Sequence, residues 1–274
     1  VWAMDVARFG DYASPQYGTI KSSENYERRF IMTFPNETLP KGRKQKTTAL
    51  YDRFVNQGAV MGDSFGLENV LWFANNKEDA HEEPTIKRSR SHDYVSKEVI
   101  NVRENVGLIE VANFSKHEFK GPDARKFLDH IMAGRLPKPG RISLSPMLSY
   151  RGKLCGDLTV ACLDENEFMV FGSGAAQEMH RRWFESHIDK FNLSYSNRSD
   201  EYHGLSIAGP NSRKVLEKIV RDDVSNEKFK FRDSRRMFVG GVPAIINRIS
   251  FTGELGYEIY VAPHYQLKLY EELM

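Results

Sequence analysis

Cysteine is scarce. Two thiols, Cys155 and Cys162, in 274 residues exclude a small disulfide-stapled scaffold and fit a reducing compartment, here taken as the cytoplasm. No apolar run approaches the roughly 20 residues that cross a bilayer, and no signal peptide is visible. No membrane partner is therefore expected. Charge of one sign is also lacking. A net charge of +2 is too balanced to call for a nucleic-acid partner. Neither G-x-G-x-x-G nor G-x-x-x-x-G-K-[ST] occurs, so the chain carries no dinucleotide fingerprint and no phosphate loop. His180 and His187 stand seven apart on an expected helix, but no third ligand accompanies them at metal spacing. The cysteines lack C-x-x-C spacing and read as small core or strand residues. A Ser-His-Asp triad cannot be read from order alone.

What is present is an ordinary globular balance, 40% hydrophobic and 28% charged, enough for one large domain or two smaller ones. The chain begins at Val1 and stops at Met274 within an amphipathic stretch. The expectation is an internal piece of a longer protein. Residues 1–56 are rich in aromatics and charge with little periodicity, broken by Pro35, Pro40 and Gly42, and read as a linking segment. Residues 57–274 form the main domain. Within it, residues 57–75 carry apolar pairs and glycines, and residues 76–93 read as a polar surface connection.

Farther on the pattern sharpens. Gly107–Ala112 alternates as a strand and Phe114–Phe119 forms a second. Gly121-Pro122-Asp123 then opens a helix with Phe127, Leu128, Ile131 and Met132 on one face, its proline placed in the first turn. The same unit returns 88 residues later, where Gly209-Pro210-Asn211 opens a helix carrying Val215, Leu216, Ile219 and Val220. Two related strand–turn–helix units predict an internally duplicated α+β domain with antiparallel sheets. Between them Leu158–Leu163 and Phe168–Phe171 read as a hairpin, and residues 175–191 as a helix. Residues 237–262 read as two or three antiparallel strands, and Leu267–Met274 begins a last helix.

Two carboxylates stand out. Asp157 opens the apolar strand of Gly156-Asp157-Leu158-Thr159-Val160; in a buried strand it must find a partner or hold its proton. A strand-end turn former is the plainer reading. Glu258 follows a glycine-rich turn in RISFTGELGYEIYV and enters an alternating strand. A carboxylate there can accept two N–H bonds from one planar amidine-like edge, such as a pterin's N3–H and 2-amino group. A solvent-facing strand Glu is the alternative.

The order GPDA-x-x-FL, PML-x-x-x-GK-x-x-GDLTV, a second GP with S-R-x-VL, then RISFTGELGYEIYV-x-P resembles the T-protein of the glycine cleavage system. More narrowly it resembles the folate domain of dimethylglycine and sarcosine dehydrogenases. DVARFGDY, ENYERRF, FPNE, TTALYDR and GAVMGDSFGLENVLWFA resemble the segment those flavoenzymes place between their FAD and folate domains, so the resemblance covers essentially the whole chain. It implies an α+β fold around a central folate channel, with the family's later arginine and C-terminal β-barrel lying beyond Met274. It implies tetrahydrofolate as cofactor, with FAD bound only by a flavin domain elsewhere in the parent chain. The implied reaction is aminomethyl or methylene transfer, in which folate takes a one-carbon unit from the iminium of an oxidised N-methyl amine. On this resemblance Asp157 matches the catalytic aspartate, Glu258 the pterin-binding glutamate and Thr159 a nearby pocket position. Three folate-pocket positions depart from the family: Leu144 and Phe251 stand where tyrosines are common, and Ser173 where an asparagine-like residue is. The competing expectation is a non-catalytic ligand-binding or scaffold module of the same fold. The discriminator is whether both carboxylates line one deep cavity; an acid pointing to bulk solvent counts against the folate reading.

Overall fold

The computed structural model describes residues 5–35 and 37–274. Residues 1–4 and Asn36, within the expected linking segment and its FPNE motif, lie outside the described residues. The chain divides into two compact units, one of Phe9–Val102, the other of the residues up to Arg8 with Arg103–Met274.

The first unit contains helices α1 (Pro15–Glu27) and α2 (Tyr51–Asn56), the hairpin β1 (Ala59–Ser64) and β2 (Leu67–Phe73), and most of α3 (Ser91–Glu104). Ser14 caps α1 by accepting the Tyr17 N–H, and Pro15 occupies its first turn, where a missing N–H costs nothing. On β2, Glu68 is buried and takes the Arg43 Nε–H at 2.9 Å. Trp72 is buried and donates to Glu82 at 2.7 Å. The sequence reading assigned no helix over α1 or α3 and no hairpin over residues 59–73. Glu24 is the sole buried residue of α1, and α3 buries none, so neither helix carries the apolar stripe from which helices are read.

The second unit runs β3 (Gly107–Glu110), β4 (Phe114–Lys120), α4 (Ala124–Ile131), β5 (Arg141–Leu148), β6 (Leu154–Asp164), β7 (Glu167–Ser173) and α5 (Gln177–Glu185). It continues with β8 (Ser194–Asn197), β9 (His203–Ala208), α6 (Ser212–Ile219), β10 (Ser234–Val239), β11 (Val242–Asn247), β12 (Gly256–Val261) and α7 (Gln266–Leu273). The strands form two antiparallel sheets of order β5-β6-β7-β4-β8 and β10-β11-β12-β9-β3. The duplication is therefore structural. Each half is strand, helix and three-stranded meander, with its first strand inserted beside its last, and each receives one further edge strand.

The repeated Gly-Pro turns explain the helix starts. Gly121 (φ 137°) and Gly209 (φ 124°) take backbone conformations that a side chain disfavours, and a Cβ on Gly121 would lie 2.7 Å from Leu193 Cα. Asp123 and Asn211 are the residues before the first helical turn. Pro122 and Pro210 thus precede the helices instead of occupying their first turn, a correction to the sequence reading. The helix expected over 175–191 is also shorter. A 3-10 turn at Gly174–Ala176 leads into α5, which stops at Glu185. His187 therefore lies outside it, and the i, i+7 alignment with His180 is lost.

One face of the β4–β8 sheet packs on α4 and α5. Leu158, Val160, Cys162, Phe168 and Val170 meet Phe127, Leu128, Ile131 and Phe184 there, each large apolar side chain contributing about 1.5–3 kcal/mol by leaving water. The opposite face turns toward the other sheet. Ile142, Ala161, Met169 and Phe171 from the first sheet pack with Ile245 and Tyr260 from the second. The start of β5 also touches the residues leading into β10, with Arg141 bridged to Asp233 and the Ile142 N–H donating to the Arg232 carbonyl at 2.9 Å.

Candidate functional site between the sheets

Strand alternation decides which side chains face the space between the sheets. On β6, Ala161 belongs to the inter-sheet cluster, so Thr159 and Asp157 share its face, while Leu158 and Val160 face the helices. Leu144 is the cross-strand partner of Thr159, Pro146 that of Asp157, and Phe171 meets Thr159 from β7. Asp157, Thr159 and Leu144 are thus brought together on one surface. Asp157 is exposed and Leu144 is 63% exposed. Asp157 consequently needs no partner, contrary to what a buried strand would have required. Ser173 ends β7, exposed, two residues beyond Phe171. Phe251 lies in the connection between β11 and β12 and is fully exposed, so the structure does not gather it with the others.

Glu258 sits on the facing sheet. It pairs with Asn247 of β11 and Ser206 of β9 and shares the face of Tyr260, two residues on. The Tyr260 hydroxyl donates to Glu258 Oε2 at 2.8 Å. Burial raises the Glu258 carboxyl above its ordinary value, while the Tyr260 hydrogen bond and the Lys116 charge work the other way. Tyr260 is held well above its own usual value by burial and by the Glu258 charge. Lys116 of β4 is fully buried. Its ammonium donates to the carbonyls of Ala112 at 2.7 Å and Ser199 at 3.2 Å, and lies 5.9 Å from the Tyr260 ring centroid. The expected discriminator is therefore not met, because Asp157 is open to solvent. Both acids lie on inner faces of opposed sheets, but Glu258 is half-buried and Asp157 is exposed.

Sequence reading missed Lys116 and Tyr260. Tyr260 was recoverable, because it alternates in phase with Glu258. Lys116 was not, since its strand reads Phe-Ser-Lys-His-Glu-Phe-Lys and yet buries five central residues.

The profile of the GCVT N-terminal domain matches residues 50–274, and that of the FAD dependent oxidoreductase central domain matches residues 1–48. This chain belongs to the GCVT family. Within or beside that family it is 33% identical to the mitochondrial dimethylglycine dehydrogenase of Mus musculus, over 99% of this chain and 31% of that one. It is 27% identical to an aminomethyltransferase of Thermotoga sp. (strain RQ2), over 84% of this chain and 58% of that one. The GCVT chain thus spans under two thirds of the length of these relatives. Its fold is that of the glycine cleavage system aminomethyltransferase T from Bartonella henselae, with a TM-score of 0.68 at 22% identity over 83% of this chain and 56% of that one.

Among the described residues no helix is long and apolar enough to cross a membrane, and no group of three or more His, Cys, Asp or Glu side chains could hold a metal ion. Both cysteines are free, Cys162 buried on β6 and Cys155 half-buried.

Proposed function

We propose that this chain binds tetrahydrofolate between its two sheets and loads it with a one-carbon unit from an oxidised N-methyl amine such as dimethylglycine or sarcosine. The observation that carries this is Glu258, an acid on the inner face of β12 whose carboxylate has, among the described residues, the Tyr260 hydroxyl as its one hydrogen-bond partner. Its other lone pairs are free for a planar, two-donor edge of the pterin type. Thr159 and Leu144 line the opposing wall, with Ser173 at the end of β7 and Phe251 at the approach to β12. Asp157, open on that wall, stabilises positive charge on the folate nitrogens and the iminium. It can also take the proton released as the folate nitrogen bonds to carbon. With no dinucleotide fingerprint in the chain, amine oxidation falls to an FAD domain of the parent protein, in keeping with the flavoenzyme match over residues 1–48. The free cysteines suit a reducing compartment, the cytoplasm or, as the mammalian relatives' names have it, the mitochondrion.

A binding or scaffold module without turnover is the second reading. It draws on Leu144 and Phe251, both exposed and both lacking a hydroxyl. Calorimetric titration with tetrahydrofolate tests the first. Micromolar binding that is lost in Glu258→Gln supports the pterin site, and absence of binding by the unmutated chain refutes it. Binding without methylene transfer when an iminium donor is supplied would favour the second reading.

A further inference from the structure

We infer that Tyr260 is a positioning residue of this folate site, its hydroxyl fixing the Glu258 carboxylate in the orientation and charge that accept the pterin edge. The inference rests on the folate reading above. A glutamate's terminal torsion is broad and roughly two-fold, so a carboxylate at a strand surface has no intrinsic reason to hold one plane. Bidentate acceptance from a planar edge requires that plane to be held. The 2.8 Å bond from Tyr260 to Oε2 occupies one of about four lone-pair positions and leaves one on Oε2 and those on Oε1 for the two N–H groups of a ligand edge.

The phenol itself is unusually constrained. Tyr260 is 1% exposed. Its ring meets Phe171 of the opposing sheet at a centroid distance of 4.7 Å. On its other flank β9 places Gly204 directly opposite in register. A Cβ on Gly204 would lie 2.6 Å from Tyr260 Cε1 and 2.8 Å from Cδ1, so the ring lies where only glycine leaves room for it. A hydroxyl buried this deeply is costly without an acceptor, and Glu258 supplies one. Glycine opposite, phenylalanine across and carboxylate two residues back together hold the phenol against the acid.

The charged and titratable groups facing Glu258 are Tyr260 on its own strand and Lys116 on β4. Its cross-strand neighbours on β9 and β11, Ser206 and Asn247, are uncharged. Removing the phenolic donor therefore takes away one of the two influences that favour the carboxylate over the acid.

The test is tetrahydrofolate titration across pH with Tyr260→Phe and Gly204→Ala, beside Glu258→Gln and the unmutated chain, each checked by thermal melting. Tyr260→Phe, which keeps the ring and its contact with Phe171, is expected to bind about tenfold more weakly at neutral pH, the scale of one lost hydrogen bond to a charged group. Its binding should also fail at a higher pH on acidification than that of the unmutated chain. Gly204→Ala, which displaces the ring and keeps the hydroxyl, is expected to weaken binding in the same direction. Unchanged affinity and an unmoved pH profile in a folded Tyr260→Phe, with binding still dependent on Glu258, would overturn the positioning role alone. A loss of affinity that tracks a lowered melting temperature with no movement of the profile would reduce Tyr260 to packing. No binding by the unmutated chain would overturn both this role and the folate reading.

Discussion

Phe171 and Tyr260, whose rings meet between the sheets, occupy corresponding places in the two halves of the molecule. Phe171 pairs with Lys116 on β4 and Tyr260 with Gly204 on β9, and Lys116 and Gly204 stand the same 88 residues apart as the two Gly-Pro turns. The contact thus joins equivalent strands of the two halves. The halves have diverged around it. Where one carries buried Lys116, the other has the glycine that admits the Tyr260 ring. Where β12 carries Glu258, β7 carries Met169, the residue two before Phe171. The two acids of the proposed site come one from each half, so the duplication supplies two walls and their divergence supplies the chemistry.

The repeated helices allow a direct test of equivalence. Leu128 on α4 and Leu216 on α6 are corresponding, fully buried residues on the outer faces of different sheets. Each Leu→Ala is expected to cost about 2–5 kcal/mol. Because they share no partner layer, their effects in the double variant should add to within about 0.5 kcal/mol. Urea unfolding measures both. Strong non-additivity would mean that the two helical layers are energetically linked.

Glu258 should be a liability for folding. Its carboxyl is raised by burial, so its folded-state affinity for a proton exceeds that of the unfolded chain. The associated stability is present at low pH and is lost as pH rises through the folded value. Above that range Glu258→Gln is expected to stabilise the protein by about 1 kcal/mol while weakening folate binding. Thermal melts across a pH series from acid to mildly alkaline read this. The stabilisation should appear at the higher pH and shrink at the lower.

His117 predicts the opposite pH dependence. It is fully buried on the helical side of β4, and burial, with His180 and Lys116 nearby, lowers its pKa to about 3. The Tyr195 hydroxyl lies 2.9 Å from Nδ1. The folded value lies below the unfolded one. His117 therefore contributes stability above the unfolded pKa, and this is lost progressively as pH falls toward 3. Unfolding free energy should decline by about 1.4 kcal/mol per pH unit per proton taken up over that window. His117→Gln should flatten the decline, though it lowers stability at neutral pH through lost packing. An equally steep acid slope in the variant would exclude His117 as its source.

The parts of this fold legible in the sequence are those where burial and periodicity agree. The two Gly-Pro turns, the β6–β7 hairpin and the alternation through Glu258 each combine a turn signal with an apolar face. The parts that were not legible break that agreement. β4 was legible as a strand, but it buries Ser115, Lys116, His117 and Glu118, so its polar letters concealed how deeply it lies, and its lysine was invisible as a neighbour of Glu258. Helices α1 and α3 have almost no buried apolar residue, and nothing in their spacing separates them from a loop. The site was legible as two acids in specific motifs. What alternation could not state was depth, which left Asp157 exposed and Glu258 half-buried.

That difference in depth makes Asp157 the cleaner probe of chemistry. The side chain is exposed and, among the described residues, has no hydrogen-bond partner, so Asp157→Asn should change stability by no more than about 0.5 kcal/mol. Affinity for tetrahydrofolate should change little as well, because the pterin edge is assigned to Glu258 on the other sheet. Transfer is a different matter. Asparagine keeps the size but can neither stabilise a cationic nitrogen with a full charge nor accept its proton. The rate of methylene transfer should therefore fall by about 100-fold or more, in the range for a positioned acid–base group. The measurement is single-turnover formation of 5,10-methylenetetrahydrofolate from saturating iminium donor and folate, beside folate affinity. A rate that falls with affinity unchanged places Asp157 in the reacting layer. A rate that is unchanged returns it to an ordinary exposed strand residue and leaves Glu258 as a binding group without a catalytic partner.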